Sequence, residues 1–181
     1  MVMRIKKKPG GFTLIEVTVV VAIVGIASAM TLVSIAGGRI SRDVDHAVRE
    51  TVVLLRGAQS FALSGQSTSA NENNCSFNIR MAAGGGYEMM NTYRDGSGNC
   101  VLTGVMASAT LKNGVVFSGM TLPATIAFNL PRGEVTYWNG SAMAPLTSAF
   151  RIGLSKGGTT KYVCISPVGQ IRENGSDSTC P

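Results

Sequence analysis

The sequence has little of what an enzyme or a metal-binding protein needs. It contains one histidine, His46, and none of its four cysteines belongs to a C-x-x-C motif. A G-x-S-x-G pattern occurs at residues 153–157, but a nucleophile elbow also requires a later histidine, and none follows. The same stretch predicts a glycine-rich hairpin turn through Lys156, Gly157 and Gly158. We therefore expect no enzyme activity, no metal site and no cofactor.

Proline and charge are scarce in the first third of the chain. No proline occurs between Gly10 and Leu122, so one helix from Phe12 to about Ser64 is permitted. The net charge of +6 comes mainly from four basic residues ahead of an apolar run, which are Arg4, Lys6, Lys7 and Lys8. From Phe12 onward the chain has 12 basic and 10 acidic residues. That balance is too small to indicate nucleic-acid binding from net charge alone.

The apolar run contains a single charged residue. Between Phe12 and Gly38 that residue is Glu16, and the uncharged stretch after it, Val17–Gly38, has 22 residues. About 20 apolar residues span a bilayer, whereas the apolar core of a secretory signal has only about 7 to 15. The run therefore predicts a retained membrane helix, with the basic amino terminus in the cytoplasm. The carboxylate of Glu16 either reaches water at the interface or has a charged partner.

The stretch GFTLIEV at residues 11–17, behind the basic leader, resembles the processing signal of type IV pilins and type II secretion pseudopilins. The resemblance implies that a prepilin peptidase removes residues 1–11 by cleaving after Gly11, and that the new amino group of Phe12 is methylated. It implies an inner-membrane anchor at residues 12–38 that later packs in the core of a filament. It also implies that Glu16 pairs with the amino terminus of a neighbouring subunit.

This resemblance has consequences for location and partners. It implies a single-pass inner-membrane protein with a periplasmic carboxyl-terminal domain, which then enters a periplasmic or extracellular filament. The implied partners are other pilin or pseudopilin subunits, the prepilin peptidase and an inner-membrane assembly platform.

The remainder of the chain changes from a helical to a strand-like pattern. Residues 39–66 predict an amphipathic continuation of the helix, because apolar residues recur at helical spacing at Val44, Val48, Val52, Leu55 and Ala62. Further on, short β-prone runs alternate with turn signals, which predicts antiparallel sheet. The predicted strands are Ser76–Arg80, Tyr87–Arg94, Val115–Ser118, Thr125–Leu130, Glu134–Trp138, Phe150–Leu154 and Lys161–Ser166. The predicted fold class is α+β, a long N-terminal helix packed on a β-rich domain at residues 67–181, and the resemblance implies the type IV pilin fold.

Three later stretches make the resemblance specific to one branch of these proteins. LLRGAQSFALSGQ, ATIAFNLPRGEV and KYVCISPVGQIR are similar to the GspH/FimT branch of minor pilins and pseudopilins. This implies a minor subunit that helps to initiate or cap a filament, and type IV pilus assembly is the preferred interpretation. The alternatives are a type II secretion pseudopilin like protein H, and a DNA-binding minor pilin for natural transformation.

All four cysteines lie beyond the predicted membrane segment, on the side that would be oxidising. Four cysteines allow three pairings. We favour Cys75 with Cys100 and Cys164 with Cys180, because each pair closes a modest local loop. In the loop-entropy model each disulfide contributes about 3 kcal/mol.

The carboxyl-terminal stretch Gly169-Gln170-Ile171-Arg172 resembles the G-R-x-R motif of DNA-binding FimT-type minor pilins, with glutamine in place of the first arginine. The resemblance makes Gly169 and Arg172 candidate DNA-contacting residues, joined by Lys156 and Lys161 if the hairpin lies beside this loop. The segment between the last two cysteines sums to −1, and DNA affinity depends on neutralising phosphates. We therefore expect weak DNA binding at best.

Overall fold

The computed structural model describes residues 11–65, 74–138, 142–175 and 180, with the side chains of residues 30–37, 102 and 103 left out. Most of the predicted leader, residues 1–10, lies outside the described residues. The chain divides into two compact units, Met1–Arg39 and Ile40–Pro181. The amphipathic part of the helix thus belongs to the same unit as the strands.

One helix, α1, extends over Leu14–Ser64, as the absence of proline permits. It starts where the backbone amides of Glu16 and Val17 donate hydrogen bonds to the carbonyl of Thr13. In the described part of the chain, no helix is both long enough and apolar enough to cross a membrane. The predicted membrane segment, residues 12–38, includes residues 30–37, whose side chains lie outside the description.

Ten strands form two antiparallel sheets among the described residues. The larger sheet has the order β3-β2-β1-β5-β6-β7 and the smaller one the order β10-β9-β8-β4. The strands are β1 Asn74–Met81, β2 Gly86–Arg94, β3 Cys100–Thr110, β4 Val116–Ser118, β5 Ala124–Asn129, β6 Glu134–Trp138, β7 Met143–Pro145, β8 Phe150–Lys156, β9 Thr159–Ile165 and β10 Ile171–Glu173. An N-terminal helix packed on an antiparallel β-sheet domain confirms the predicted α+β class.

The helix and both sheets share one hydrophobic core. All five apolar positions predicted for the amphipathic stripe are at most 4% exposed, namely Val44, Val48, Val52, Leu55 and Ala62. They pack with alternating side chains of both sheets, including Phe77 and Ile79 of β1 and Ile152 and Leu154 of β8. Full burial of such a side chain contributes about 1.5 to 3 kcal/mol, so this stripe holds the helix on the sheets.

The predicted strands are all present, within two residues at their ends, and three strands were missed. The missed strands are β3, β7 and β10. The predicted hairpin turn is confirmed, because β8 ends at Lys156, β9 starts at Thr159, and the two glycines between them have φ values of 53° and 82°. Left-handed backbone at both central positions suits a tight hairpin and favours glycine. The G-x-S-x-G pattern therefore lies in a strand and a hairpin turn, without the helix of a nucleophile elbow.

Candidate functional site

The amino-terminal motif is exposed along its whole described length. Residues 11–13 precede the helix, and Phe12 is 83% exposed. Glu16 lies in the first helical turn, where a carboxylate interacts favourably with the positive end of the helix dipole. Among the described residues, no side chain pairs with this carboxylate. Around it the helix surface is apolar, since the large side chains at residues 14–26 are 51–83% exposed.

Both cysteine pairs favoured in the sequence analysis are disulfides in the structure. Cys75 of β1 is bonded to Cys100 of β3, with their Cα atoms 6.0 Å apart. Cys164 of β9 is bonded to Cys180, with a Cα separation of 5.7 Å. The second bond ties the carboxyl-terminal segment to an inner strand of the smaller sheet.

The carboxyl-terminal segment that carries Gly169 and Arg172, a turn followed by strand β10, is held against helix α1. Gln59 Nε2 donates a hydrogen bond of 2.9 Å to the Gly169 carbonyl, and Arg56 Nη2 lies 3.4 Å from the Ile171 carbonyl. Arg172 is exposed and donates to Gln170 Oε1 at 3.0 Å. Gln170, which replaces the first arginine of the G-R-x-R motif, thus binds the remaining arginine of that motif.

The two candidate lysines bind aspartates of helix α1. Lys156 Nζ is 2.6 Å from Asp43 Oδ2, and Lys161 Nζ is 2.5 Å from Asp45 Oδ1. The hydrogen bond from Lys156 lowers the pKa of Asp43, and Asn113 donates a second hydrogen bond to it at 2.8 Å. Both lysines are therefore occupied in fastening the β8–β9 hairpin to the helix.

The structure does not bring these lysines together with Arg172. Strand β9 directs Lys161 to the same face as the buried Val163, towards the helix. Arg172 is paired in register with Cys164, the residue that follows Val163 in β9. Successive residues of a strand point to opposite faces, so the side chain of Arg172 lies on the face opposite to that of Lys161. Of the four candidate residues, Gly169 lies in the turn before β10 and Arg172 in β10 itself, whereas Lys156 and Lys161 lie in the β8–β9 hairpin.

The single histidine does not belong to a metal-ligand cluster in the described part of the chain. His46 has an exposed side chain, and its Nδ1 lies 3.8 Å from Glu50 Oε2. The other oxygen of Glu50 accepts a hydrogen bond of 2.8 Å from the Tyr87 hydroxyl. Burial, together with this carboxylate, raises the pKa of Tyr87 to about 12. No group of three or more potential metal ligands occurs among the residues that the structure describes.

A comparison with protein-family models matches residues 6–32 to the prokaryotic N-terminal methylation motif. The match supports a type IV pilin-like or pseudopilin protein. It includes Gly11, Phe12 and Glu16, and it implies processing by a prepilin peptidase and assembly with other pilin subunits. A pilin-like motif suggests a membrane-anchored structural subunit rather than an enzyme. No curated protein and no solved structure matches the chain at a significant level.

Sequence reasoning missed the contacts that position the sheet domain on its helix. Gln59 and Arg56 bind the carboxyl-terminal loop, and Asp43 and Asp45 bind the hairpin, yet each looked like an ordinary exposed polar residue. The helical periodicity could have indicated these residues as contact residues. Polar side chains directly beside a predicted apolar stripe are well placed to bind the element that packs on that stripe. Nothing in the period alone identifies their partners.

Proposed function

We propose that this protein is a minor pilin, a structural subunit that helps to initiate or cap a type IV pilus. In this proposal a prepilin peptidase cleaves after Gly11, and Phe12 becomes the methylated amino terminus of the mature chain. The observation that carries the proposal is the methylation motif on an exposed helix that continues into an antiparallel sheet domain. In this proposal the helix attaches the domain to the filament, and the sheets contact neighbouring subunits.

In this proposal Glu16 is the assembly residue. A carboxylate at the centre of a membrane helix costs about 2.5 to 3.5 kcal/mol on insertion scales, and such residues usually have a partner. Glu16 is near the end of the apolar segment and has no charged partner among the described residues, so insertion alone is tolerable. The positive amino terminus of a second processed subunit supplies the missing charge when the helices pack side by side.

The remaining assignments follow from this role. Residues 12–38 act first as the inner-membrane anchor and then as the filament-core segment, with residues 39–66 continuing the helix and residues 67–181 in the periplasm. The GQIR stretch, which resembles FimT-type minor pilins, is the reason for preferring the type IV pilus over a type II secretion pseudopilin. DNA binding is the least favoured role, because Lys156 and Lys161 bind aspartates and Arg172 is directed to the other sheet face.

The test is Glu16→Ala, with Glu134→Ala as a matched control on an exposed carboxylate of the sheet domain. We expect both variants to reach the membrane fraction, and only Glu16→Ala to be depleted from sheared filaments, by at least about tenfold, as for loss of a desolvated charge pair. Mass spectrometry of the filament fraction should give an amino terminus at methylated Phe12.

Three outcomes would contradict parts of the proposal. An intact Met1 in the filament fraction would refute the processing. Normal incorporation of Glu16→Ala would refute the pairing role. A deletion strain that keeps its pili but loses exoprotein release would transfer the protein to type II secretion.

A further inference from the structure

Charges on the part of helix α1 within the unit Ile40–Pro181 are sorted by sign. Its three acidic residues all have partners on the sheet domain: Asp43 binds Lys156, Asp45 binds Lys161 and Glu50 binds Tyr87. Its three arginines, Arg42, Arg49 and Arg56, are all exposed. Each negative side chain of this part of the helix thus has a partner on the sheet domain, although the Asp45 side chain is still 44% exposed. The three arginines are exposed, and Arg56 approaches the domain at the Ile171 carbonyl.

The three arginines form one row, which we call the arginine stripe. They are seven residues apart, so successive members are two turns or about 10.5 Å apart and drift by only about 20° around the helix. The ion pairs found among the described residues include none of them, and the one polar contact seen for the stripe is the 3.4 Å approach of Arg56 to a backbone carbonyl. No ion pair among the described residues therefore neutralises the charge of the stripe.

An apolar centre accompanies this charge. Val53 lies between the second and third arginines and is 69% exposed. Beside it is a hollow of about 570 Å³, lined by His46, Arg49, Glu50, Val53, Leu54 and Tyr87. Glu50 is one of these lining residues, and its Oε2 is buried without a hydrogen-bond donor among the described residues. An apolar centre with a charged rim is the usual arrangement of a protein–protein contact surface.

We propose that the arginine stripe binds an acidic helix of a different subunit in the same filament. Carboxylates at seven-residue spacing on a facing helix recur at the same interval of about 10.5 Å as the arginines. An apolar side chain of that helix fills the hollow beside Val53. This inference rests on the proposed function, because the filament is what brings the second helix alongside.

Other occupants fit less well. A second copy of the chain in a two-fold contact would place one arginine stripe against another, which is repulsive. On the sheet domain, as far as the structure describes it, the exposed carboxylates of Glu134 and Glu173 lie on separate strands and Glu88 is half-buried beside Arg80. Those residues of a second copy therefore offer no acidic row. Nucleic acid and lipid headgroups would match the charge but not the apolar centre at Val53.

The test places a photo-crosslinking amino acid at Val53 in the full-length chain in living cells, with Val168, 80% exposed, as the matched control position. We expect a protein adduct from position 53 but not from 168, mapped to a peptide with Asp or Glu every seven residues.

Arg42→Glu with Arg49→Glu should lower the yield at least about tenfold, since juxtaposed like charges are strongly unfavourable. The matched pair Arg42→Lys with Arg49→Lys should keep it within about twofold, because exposed ion pairs depend mainly on charge. Reversing the partner's carboxylates to lysine should restore the adduct of the double Glu variant.

Each other result overturns the inference. One such result is an adduct to lipid, to nucleic acid or to a second copy of the chain. Another is an adduct yield that does not change on charge reversal of the arginines. The third is the absence of any adduct from position 53. Filament entry of the unmodified chain is measured in parallel. A chain that never enters filaments but still gives the charge-dependent adduct would refute the proposed function and leave the acidic partner established.

Discussion

Replacing Gly169 by alanine tests how the carboxyl-terminal loop is held on helix α1. Gly169 has a φ of +80°, and a Cβ atom there would lie 2.8 Å from Gln59 Nε2. That same nitrogen donates the 2.9 Å hydrogen bond to the Gly169 carbonyl. Alanine would therefore adopt an unfavourable backbone conformation and also displace the donor that fixes the loop.

The expected loss of stability is the sum of these two effects, and a control variant separates them. The left-handed conformation costs a residue with a Cβ about 1 to 2 kcal/mol, and a lost hydrogen bond about 0.5 to 1.5 kcal/mol. Gly158 has a φ of +82° with no atom within 4 Å of a built Cβ, so Gly158→Ala measures the first effect alone. We expect Gly169→Ala to lower the free energy of unfolding by about 2 to 3 kcal/mol, roughly 1 kcal/mol more than Gly158→Ala.

The assay is thermal unfolding of the full chain in mild detergent, followed by circular dichroism. For a chain of this size 1 kcal/mol corresponds to roughly 2 to 4 °C, so the two variants should differ by a few degrees. Gln59→Ala completes a double-mutant cycle, in which its cost and that of Gly169→Ala should not add. Equal melting temperatures for the two glycine variants, or strict additivity with Gln59→Ala, would refute the described loop contact.

Two further predictions concern the core and the helix surface. Leu55→Ala should lower the free energy of unfolding by about 2 to 5 kcal/mol, because Leu55 is 0% exposed, while Leu63→Ala, at 58% exposed on the same helix, should cost under about 1 kcal/mol. Equal losses in chemical denaturation would contradict the assigned core. Because the pKa of Tyr87 is raised to about 12, its contribution to stability should be complete below pH 10 and lost as the pH rises towards 12. Tyr87→Phe should accordingly remove the highest-pH component of the tyrosinate absorbance titration, and an unchanged titration curve would show that Tyr87 is not buried against Glu50.

Local periodicity was enough to predict the helix and most of the strands. The buried face of α1 repeats at helical spacing, and in β8 the apolar side chains of Ile152 and Leu154 are buried whereas Arg151 and Ser155 are half-buried. Strand β3 was missed because it is an edge strand whose residues 104–110 are all exposed, so no buried alternation marks it. Strands β7 and β10 have three residues each, and their pairing with neighbours, rather than their composition, makes them strands.

The candidate site residues, too, could be predicted only in part from local sequence patterns. The amino-terminal motif is a local pattern, so its residues could be identified from sequence without the fold. Grouping Lys156 and Lys161 with Arg172 required knowledge of which strands pair and in which register, and a shift of one residue changes the face on which a side chain lies. The register puts Arg172 opposite Cys164 and sends Lys161 towards Asp45, an outcome that nearness in the sequence does not encode.

The two ion pairs between the β8–β9 hairpin and helix α1 also fix the rotational position of the sheet domain around the helix axis. Asp43 and Asp45 lie on flanks of α1 about 160° apart, since two residues advance about 200°, and each binds a different lysine of one hairpin. The hairpin therefore straddles the helix, with Ile40 packed close to the turn at Gly157. Rotation of the domain about the helix axis in either direction stretches one of the two ion pairs. The direction in which the arginine stripe points is thus set by the domain itself, before any neighbour is met.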